Sequence, residues 1–228
     1  VGQVEKSLGR LFSFMGDGPY AFVMYFGKAE RAGLRGFRHR FTSGEDIADL
    51  LELLRVVLEQ EGSIENYFLR GWREADEDVI AALCRFCESL LQIHVRIRGG
   101  EAGKGLRYLL SNPADGSACK RLNLFLRWMV RSDEVDTGLW KSIDRARLVV
   151  PVDVHMGRLC RVLGLYKRKT ICLAAAREIT RSFAEIEPSD PVKYDFALSR
   201  VGIIGDCDGR YREACERCEL CGYCLRQG

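Results

Sequence analysis

The sequence predicts an all-α fold made of two packed helical subdomains and a cysteine-rich C-terminal loop. Apolar residues recur at helical spacing in nearly every long segment, whereas the alternation typical of a strand is scarce. With 228 residues and 47% hydrophobic content, the chain can also bury a substantial core. We expect roughly nine or ten helices, with a subdomain boundary at the glycine-rich stretch GGEAGKG.

Residues 1–103 form the predicted N-terminal subdomain. The segment FTSGEDIADLLELLRVVLEQEG carries an apolar stripe, and Thr42 and Glu45 are placed as a capping box at its start. SIENYFLRGW predicts a short helix, and residues 76–98 predict a long one. The first residue is Val1 rather than Met, which is compatible with a trimmed or fragmentary N-terminus.

Half of the cysteines lie in helical patterns, where reduced cysteine is usually a small buried apolar residue. These are Cys84, Cys87, Cys119, Cys160 and Cys172. Cys84 and Cys87 have CxxC spacing, but they lie inside a long amphipathic helix. We therefore interpret this pair as part of the core and not as a metal site.

Residues 104–206 form the second predicted subdomain, which opens with two helices around a turn. KGLRYLL predicts a short helix, SNPADGSA a turn, and CKRLNLFLRWMVR a strongly apolar helix. We interpret Phe125 and Trp128 as core residues of that helix, with aromatic stacking at a binding site as the alternative. The turn around Pro113 and Gly116 would leave backbone N–H groups of the second helix pointing outward, where they can bind a phosphate.

Asp153 lies directly ahead of the next helical pattern, in LVVPVDVHMGRLCRVLGL. Aspartate at this position usually caps the helix, because its side chain accepts N–H bonds that the first turn cannot satisfy internally. Gly164 provides the stop signal. Two further helices are predicted, one opened by Thr170 and one capped by Ser189 or Asp190. One face of the Asp153 helix carries Met156, Leu159, Cys160 and Leu163.

Charge is unevenly distributed along the chain. The net charge is only +3, yet residues 104–169 contain fourteen Lys and Arg against six Asp and Glu. A basic middle segment of this kind is expected of a phosphate-binding face. The alternative is a solvated helical surface that happens to be rich in arginine.

Lys120 lies in the first turn of the apolar helix that follows the turn. The helix dipole disfavours a positive charge there and so favours the neutral amine, which is the form that attacks an electrophilic carbon. Considered alone, Lys120 is better interpreted as a surface lysine, and Asp153 could be a plain helix cap. Both residues lie inside the basic segment.

The segments VPVDVHM, CKRLNLFLRWMVR and DPVKYDFALSRVGI resemble those of the helix-hairpin-helix DNA glycosylase superfamily. VPVDVHM is similar to the segment of 8-oxoguanine DNA glycosylases that carries the catalytic aspartate. The separation of Lys120 from Asp153 is similar to that of the archaeal type. The other two segments resemble a microbial family of unassigned function within the superfamily. The resemblance covers residues 37–205 and is strongest over residues 117–165.

The resemblance implies a DNA base-excision repair enzyme that removes an oxidised base, most plausibly 8-oxoguanine. Lys120 would attack C1′ of the deoxyribose and form a Schiff base, after which β-elimination nicks the strand. Asp153 would stabilise the positive charge that develops on the sugar. A monofunctional glycosylase needs only the aspartate and a water, so Lys120 favours a bifunctional glycosylase and AP lyase.

Expected DNA contacts lie at the turn and at the starts of the two helices. They are Gly116, Ser117, Arg121, His155 and Arg158. His155 has the alternative of being a simple polar first-turn residue. The hairpin departs from the usual LPGVG-like pattern, because NPADGS keeps only Gly116 and inserts Asp115 where a phosphate would approach.

The other five cysteines lie between Cys207 and Cys224. Thiolates at CxxC spacing in a short loop bind zinc or an iron–sulfur cluster. The endonuclease III branch of the superfamily holds a [4Fe–4S] cluster with C-x6-C-x2-C-x5-C. The resemblance therefore implies a structural [4Fe–4S] cluster, with zinc as the alternative; disulfides fit poorly with an intracellular chain. The expected ligands have C-x7-C-x2-C-x5-C spacing and are Cys207, Cys215, Cys218 and Cys224, with Cys221 as a substitute.

The expected partner is double-stranded DNA that contains a damaged base, bound by a monomer. No apolar run approaches the ~18 residues of a membrane span, and no basic-then-apolar leader opens the chain. We therefore expect a cytoplasmic, nucleoid-associated protein without membrane contact. The alternative function is a non-catalytic nucleic-acid-binding protein with the same fold and a metal-stabilised tail.

Overall fold

The computed structural model describes residues 2–204, 207 and 209–225. The remaining positions, including four within the predicted C-terminal loop, lie outside the described residues. The described part is all-α, with 59% helix, 3% strand and eleven α-helices. The helices are α1 Gly2–Met15, α2 Pro19–Met24, α3 Lys28–Gly33, α4 Gly44–Glu61, α5 Ile64–Leu69, α6 Ile80–Arg98, α7 Lys104–Leu109, α8 Lys120–Val130, α9 Val154–Val162, α10 Leu173–Ala184 and α11 Asp195–Ile204.

The chain divides into two compact units. Unit 1 comprises residues 1–76 and 81–112, and unit 2 comprises residues 77–80 and 113–228. The division at residues 112 and 113 falls nine residues after the end of the predicted N-terminal subdomain. It lies between α7 and α8, so the two helices predicted to flank the turn belong to different units.

Unit 1 is built around α4, which contacts α2, α5 and α7. One apolar cluster, formed with α2 and α3, contains Val23, Phe26, Leu34, Ala48 and Leu51. Two-residue strands, β1 Arg38–His39 and β2 Thr42–Ser43, precede α4 and pair antiparallel. In the described residues no helix is both long and apolar enough to cross a membrane.

The capping box of α4 lies one residue later than predicted. Ser43 is the N-cap, and its Oγ accepts the N–H of Asp46, whose carboxylate accepts the N–H of Ser43. The prediction of Thr42 and Glu45 is wrong because Thr42 is buried and pairs with His39 in the β1–β2 hairpin. The helix can begin only after that pairing ends.

Unit 2 contains α8 to α11, and α9 packs against α11. The apolar run that precedes α9 is buried, with Leu148, Val149, Val150 and Val152 at most 2% exposed. The predicted inward face of α9 is largely confirmed, because Met156, Leu159 and Cys160 are buried. Gly164, predicted as the stop, follows the helix with a φ of +72°, a conformation that favours glycine.

Two helix starts in unit 2 differ from prediction. α10 begins at Leu173, three residues after Thr170. The last helix, α11, begins at Asp195, so neither Ser189 nor Asp190 caps it. The carboxylate of Asp190 is instead buried against the guanidinium of Arg131, with Nε–Oδ1 at 3.0 Å, and is not available to a helix start.

Candidate functional site

Lys120 is the first residue of α8, as the sequence predicts. The preceding residue, Cys119, has a φ of +44°, which is left-handed and rare for a residue with a side chain. Buried Asn123 supports this turn, because its Nδ2 donates to the carbonyl of Ala118 at 2.9 Å. The backbone at Lys120 is therefore held in an unusual conformation that costs of order 1–3 kcal/mol and needs surrounding support.

Asp153 is the N-cap of α9, which confirms the prediction made from its local sequence. Its Oδ1 accepts the backbone N–H of Met156 at 2.8 Å. The buried segment before it and the buried face of α9 after it fix the direction of this helix start. Only one carboxylate oxygen is used by the cap.

The second oxygen of Asp153 meets Lys120. Lys120 Nζ donates to Asp153 Oδ2 at 2.7 Å, although the two residues are 33 positions apart in the chain. The lysine side chain is 42% exposed and the aspartate side chain 22% exposed, so the pair is accessible from solvent. The fold of unit 2 thus brings an amine and a carboxylate together at the first turns of α8 and α9.

The environment of Asp153 favours its ionised form. Burial alone would raise the pKa of this carboxyl group. The hydrogen bonds from Lys120 and Met156, together with the positive charges of Lys120 and His155, outweigh burial and hold the pKa below its usual value. Asp153 therefore presents a negative charge to whatever approaches Lys120.

The residues predicted to contact DNA lie on the surface near this pair. His155 and Arg158 are exposed in the first turn and a half of α9, and Arg121 is exposed next to Lys120 in α8. Gly116 and Ser117 are exposed in the turn before α8. Because the Lys120–Asp153 contact joins the two helix starts, the structure brings these positions close to one another.

The turn before α8 has a defined internal structure. Gly116 has a φ of +80°, and its carbonyl accepts the N–H of Leu173 at 2.9 Å, which ties the turn to the start of α10. Ser117 Oγ accepts the N–H of Cys119 at 3.2 Å. Asp115 is exposed at the end of a 3-10 turn, so a carboxylate does lie on this surface.

The two aromatic residues of α8 have different environments. Phe125 packs edge-on against buried Trp140, with ring centroids 5.5 Å apart. Trp128, in contrast, is 44% exposed, so its interpretation as a core residue is wrong. The periodicity of α8 places Trp128 near its apolar stripe, but the described part of the chain covers the residue only in part.

A buried network of charges, which the sequence did not reveal, holds the second half of α8. Arg127 donates to Asp136 and Asp195, and Arg131 donates to Asp136 and Asp190. These five side chains are at most 8% exposed. Burial raises the pKa of Asp195 in spite of the neighbouring charge of Arg127. The only sequence signal was the spacing of two arginines by four positions on an apolar helix.

The cysteine-rich tail does not form an assembled metal site in the part of the chain that the structure describes. Among the described residues, no group of three or more His, Cys, Asp or Glu side chains could hold a metal ion. The donor set nevertheless has suitable chemistry, and Cys215 Sγ accepts the N–H of Arg212 at 3.4 Å, the type of contact that stabilises a ligating sulfur.

The tail is attached to the C-terminal end of α9. The N–H of Leu225 donates to the carbonyl of Val162 at 2.7 Å. Gly164 lies so close to Leu225 that an added Cβ would be 2.4 Å from its Cδ1. The segment that carries the cysteines is therefore fastened to the helix whose other end carries Asp153.

Comparison with known proteins gives one match. A model of the family described as protein of unknown function (DUF2400) matches residues 1–204. No curated protein and no solved structure matches the chain.

Proposed function

This chain belongs to the family described as protein of unknown function (DUF2400). We propose that it is a bifunctional DNA N-glycosylase and AP lyase. It removes an oxidised base, most plausibly 8-oxoguanine. The observation that carries the proposal is the 2.7 Å contact between Lys120 Nζ and Asp153 Oδ2. An accessible amine beside a carboxylate supplies both groups that this reaction needs.

Lys120 is the proposed nucleophile. Its ammonium loses a proton to water, and the neutral amine then attacks C1′ of the damaged nucleotide, while Asp153 stays ionised. The bond from C1′ to the base breaks, and its electron pair leaves with the base, which takes up a proton. Ring opening gives a Schiff base between Lys120 Nζ and C1′.

The lyase step follows from the Schiff base. Loss of a proton from C2′ and cleavage of the C3′–O bond, with the phosphate as leaving group, nick the strand. The positively charged imine makes the C2′ proton acidic and so drives this elimination. Water then releases the sugar from Lys120 and restores the amine.

Asp153 is the proposed electrostatic partner of the sugar. Positive charge develops on the deoxyribose as the base departs, and an ionised carboxylate fixed nearby lowers the energy of that transition state. The depressed pKa of Asp153 supports this role, because the group stays negative at neutral pH. Its Oδ1 still accepts the N–H of Met156, and this hydrogen bond restricts rotation of the carboxylate.

The DNA would bind across the exposed starts of α8 and α9. Arg121, His155 and Arg158 can neutralise phosphates there, in the segment with the excess of basic residues. The damaged nucleotide must leave the base stack to reach Lys120. We expect the protein to act as a monomer in the cytoplasm, at the nucleoid.

The proposed cofactor is a structural [4Fe–4S] cluster, with zinc as the alternative. Cys207, Cys215, Cys218 and Cys224 would hold it, and Cys221 could replace one of them. When bound, such a group supplies rigidity and no step of the reaction. Because the tail is fastened to α9 through Leu225, rigidity there would be passed to the helix of Asp153.

Borohydride trapping tests the proposal. Duplexes with a single 8-oxoguanine, another oxidised base or an abasic site are incubated with the protein and reduced, which converts the Schiff base into a stable adduct. We expect an adduct with the intact protein and none with Lys120→Gln. Lys169→Gln, an exposed lysine of the same basic segment, is the matched control and should retain the adduct.

Three outcomes separate the alternatives. No adduct with any duplex would contradict the lyase. Base excision without an adduct would indicate a monofunctional glycosylase that uses Asp153 and water. Binding of duplex DNA without excision or adduct would favour the non-catalytic nucleic-acid-binding protein.

A further inference from the structure

In unit 1, a groove of about 790 Å³ lies between the end of α4, α5 and α6. This volume lies in the range of small-molecule sites, which is ~300–1,000 Å³. Its apolar lining residues include Phe86, Leu91 and Val95, and its polar lining residues include Gln60 and Gln92. None of these residues belongs to the unit that contains Lys120 and Asp153.

The charged residues that line the groove all have the same sign. They are Arg70, Arg85 and Arg96, and no Asp or Glu is among the lining residues. In the chain as a whole, acidic residues are nearly as numerous as basic ones, with 32 against 35. The three lining arginines favour an anion, and the acids that pair with two of them lie outside the lining.

Two of the three guanidinium groups are held in place by other contacts. Arg85 Nε donates to the carbonyl of Gly71 at 2.7 Å, and its Nη2 pairs with Asp76. Arg70 Nη1 donates to Glu61 at 2.9 Å, while the group lies over the ring of Tyr67. Each guanidinium has five N–H donors, so both keep donors for a ligand.

Arg96 completes the set. It is exposed in the last turn of α6 and makes no hydrogen bond or ion pair within the described part of the chain. A free guanidinium beside two oriented ones can accept an anion with little rearrangement, because planar forks match phosphate oxygens.

We propose that this groove binds a phosphate ester of the nucleotide class. Phosphate oxygens would pair with the arginines, while the glutamine amides offer both donors and acceptors to a base edge beside the apolar lining residues. The ligand is either a free nucleotide or the terminal phosphate of a nucleic-acid strand, which share this chemistry. The site does not depend on the glycosylase proposal.

Calorimetric titration of the full chain tests the site, with AMP, ATP and a short 5′-phosphorylated oligonucleotide as probes. We expect Arg96→Ala to weaken binding about tenfold, the usual effect of losing one charge-assisted hydrogen bond. Arg96 has no partner within the described part of the chain, so the Arg96→Ala variant should have the same thermal unfolding midpoint as the wild type. Arg38→Ala removes the same charge from an exposed position of unit 1 outside the groove and should bind normally.

The arms of the experiment distinguish the two ligand sources and the two sites. Binding of ATP that depends on Arg96 assigns a free nucleotide, whereas binding that depends on Arg96 for the oligonucleotide but not for AMP or ATP assigns a strand end. Lys120→Gln should not change either titration, even if that variant loses all repair activity. Equal affinity of wild type and Arg96→Ala for every probe, or no binding at millimolar concentration, would overturn the proposal.

Discussion

Asp153 serves two purposes with two oxygens. One oxygen caps α9 by accepting the N–H of Met156, and the other accepts the ammonium of Lys120. The two purposes can be separated by substitution because asparagine caps a helix about as well as aspartate, whereas alanine does not.

We expect Asp153→Asn to fold normally and to lose base excision. Its cost in free energy of unfolding should stay below about 1 kcal/mol, because it removes only a partly exposed ion pair. Asp153→Ala should cost about 1 kcal/mol more, because it also removes the cap. Urea denaturation and an excision assay on each variant measure the two effects. Normal excision by Asp153→Asn would leave the residue only a structural role.

The depressed pKa of Asp153 predicts a pH dependence of stability. The group has a lower pKa in the folded chain than its ordinary value of 3.8, so it stabilises the fold above that pH and loses this contribution as the pH falls through its folded pKa. Asparagine does not titrate. The stability difference between wild type and Asp153→Asn should therefore be constant near neutral pH and shrink below about pH 4. An unchanged difference in urea denaturation down to about pH 3 would contradict the assignment.

At the scale of elements, α8 is fixed at both ends by polar groups. Its start depends on the left-handed Cys119 and on the Asn123 side chain, and its second half on the buried charges around Arg127 and Arg131. The helix cannot shift without breaking one of these sets. The buried network therefore contributes to the position of Lys120, although it does not touch it.

Arg127→Met should destabilise the chain by about 3–5 kcal/mol, because it leaves the buried carboxylate of Asp195 without its partner and Asp136 with Arg131 alone. Arg158→Met, an exposed arginine of α9, should change the free energy of unfolding by less than about 0.5 kcal/mol. Chemical denaturation of both variants gives the comparison. A loss below about 1 kcal/mol for Arg127→Met would show that the network is solvated or rearranges.

Contacts between residues close in the chain could be predicted from the sequence. Contacts between distant residues could not, apart from the Lys120–Asp153 pair that the resemblance implied. The cap of α9 was predicted because Asp153 and Met156 are neighbours in the chain. The failure at Asp190 has the opposite cause, since its partner Arg131 is 59 positions away. The prediction of Thr42 as the N-cap of α4 failed because Thr42 lies in a two-residue strand. Such a strand is too short to leave a periodic pattern in the sequence.

At the scale of the molecule, the chemistry-bearing groups are divided between the units. Unit 1 contains the arginine groove, and unit 2 contains the Lys120–Asp153 pair and the cysteine tail. Counting charges along the sequence revealed the basic segment around the Lys120–Asp153 pair but not the arginine groove. The arginines of the groove are interspersed with acidic residues in the chain, so they produce no local excess of positive charge. In the folded chain the three arginines line the groove, whereas the neighbouring acidic residues lie outside its lining.

Metal binding by the tail predicts a selective effect of cysteine substitutions. Cys218→Ser should lose iron or zinc, lower the thermal midpoint and increase proteolysis near Leu225, because the tail would no longer hold the end of α9. Cys221→Ser is the matched control and should keep its metal. Metal analysis, visible absorption and limited proteolysis report these changes. Retention by Cys218→Ser together with loss by Cys221→Ser would exchange the two residues in the ligand set.

The contact between Lys120 and Asp153 also protects the amine chemically. Cells contain small aldehydes and reducing sugars that condense with any neutral lysine. To reach such a carbonyl carbon, Lys120 Nζ must first leave the Asp153 oxygen that lies 2.7 Å away. A small aldehyde makes too few contacts to displace that carboxylate, whereas a deoxyribose held by a bound DNA strand can do so. Lys120 would therefore stay unmodified through long intervals without substrate, and it should react with formaldehyde more slowly than the exposed Lys169.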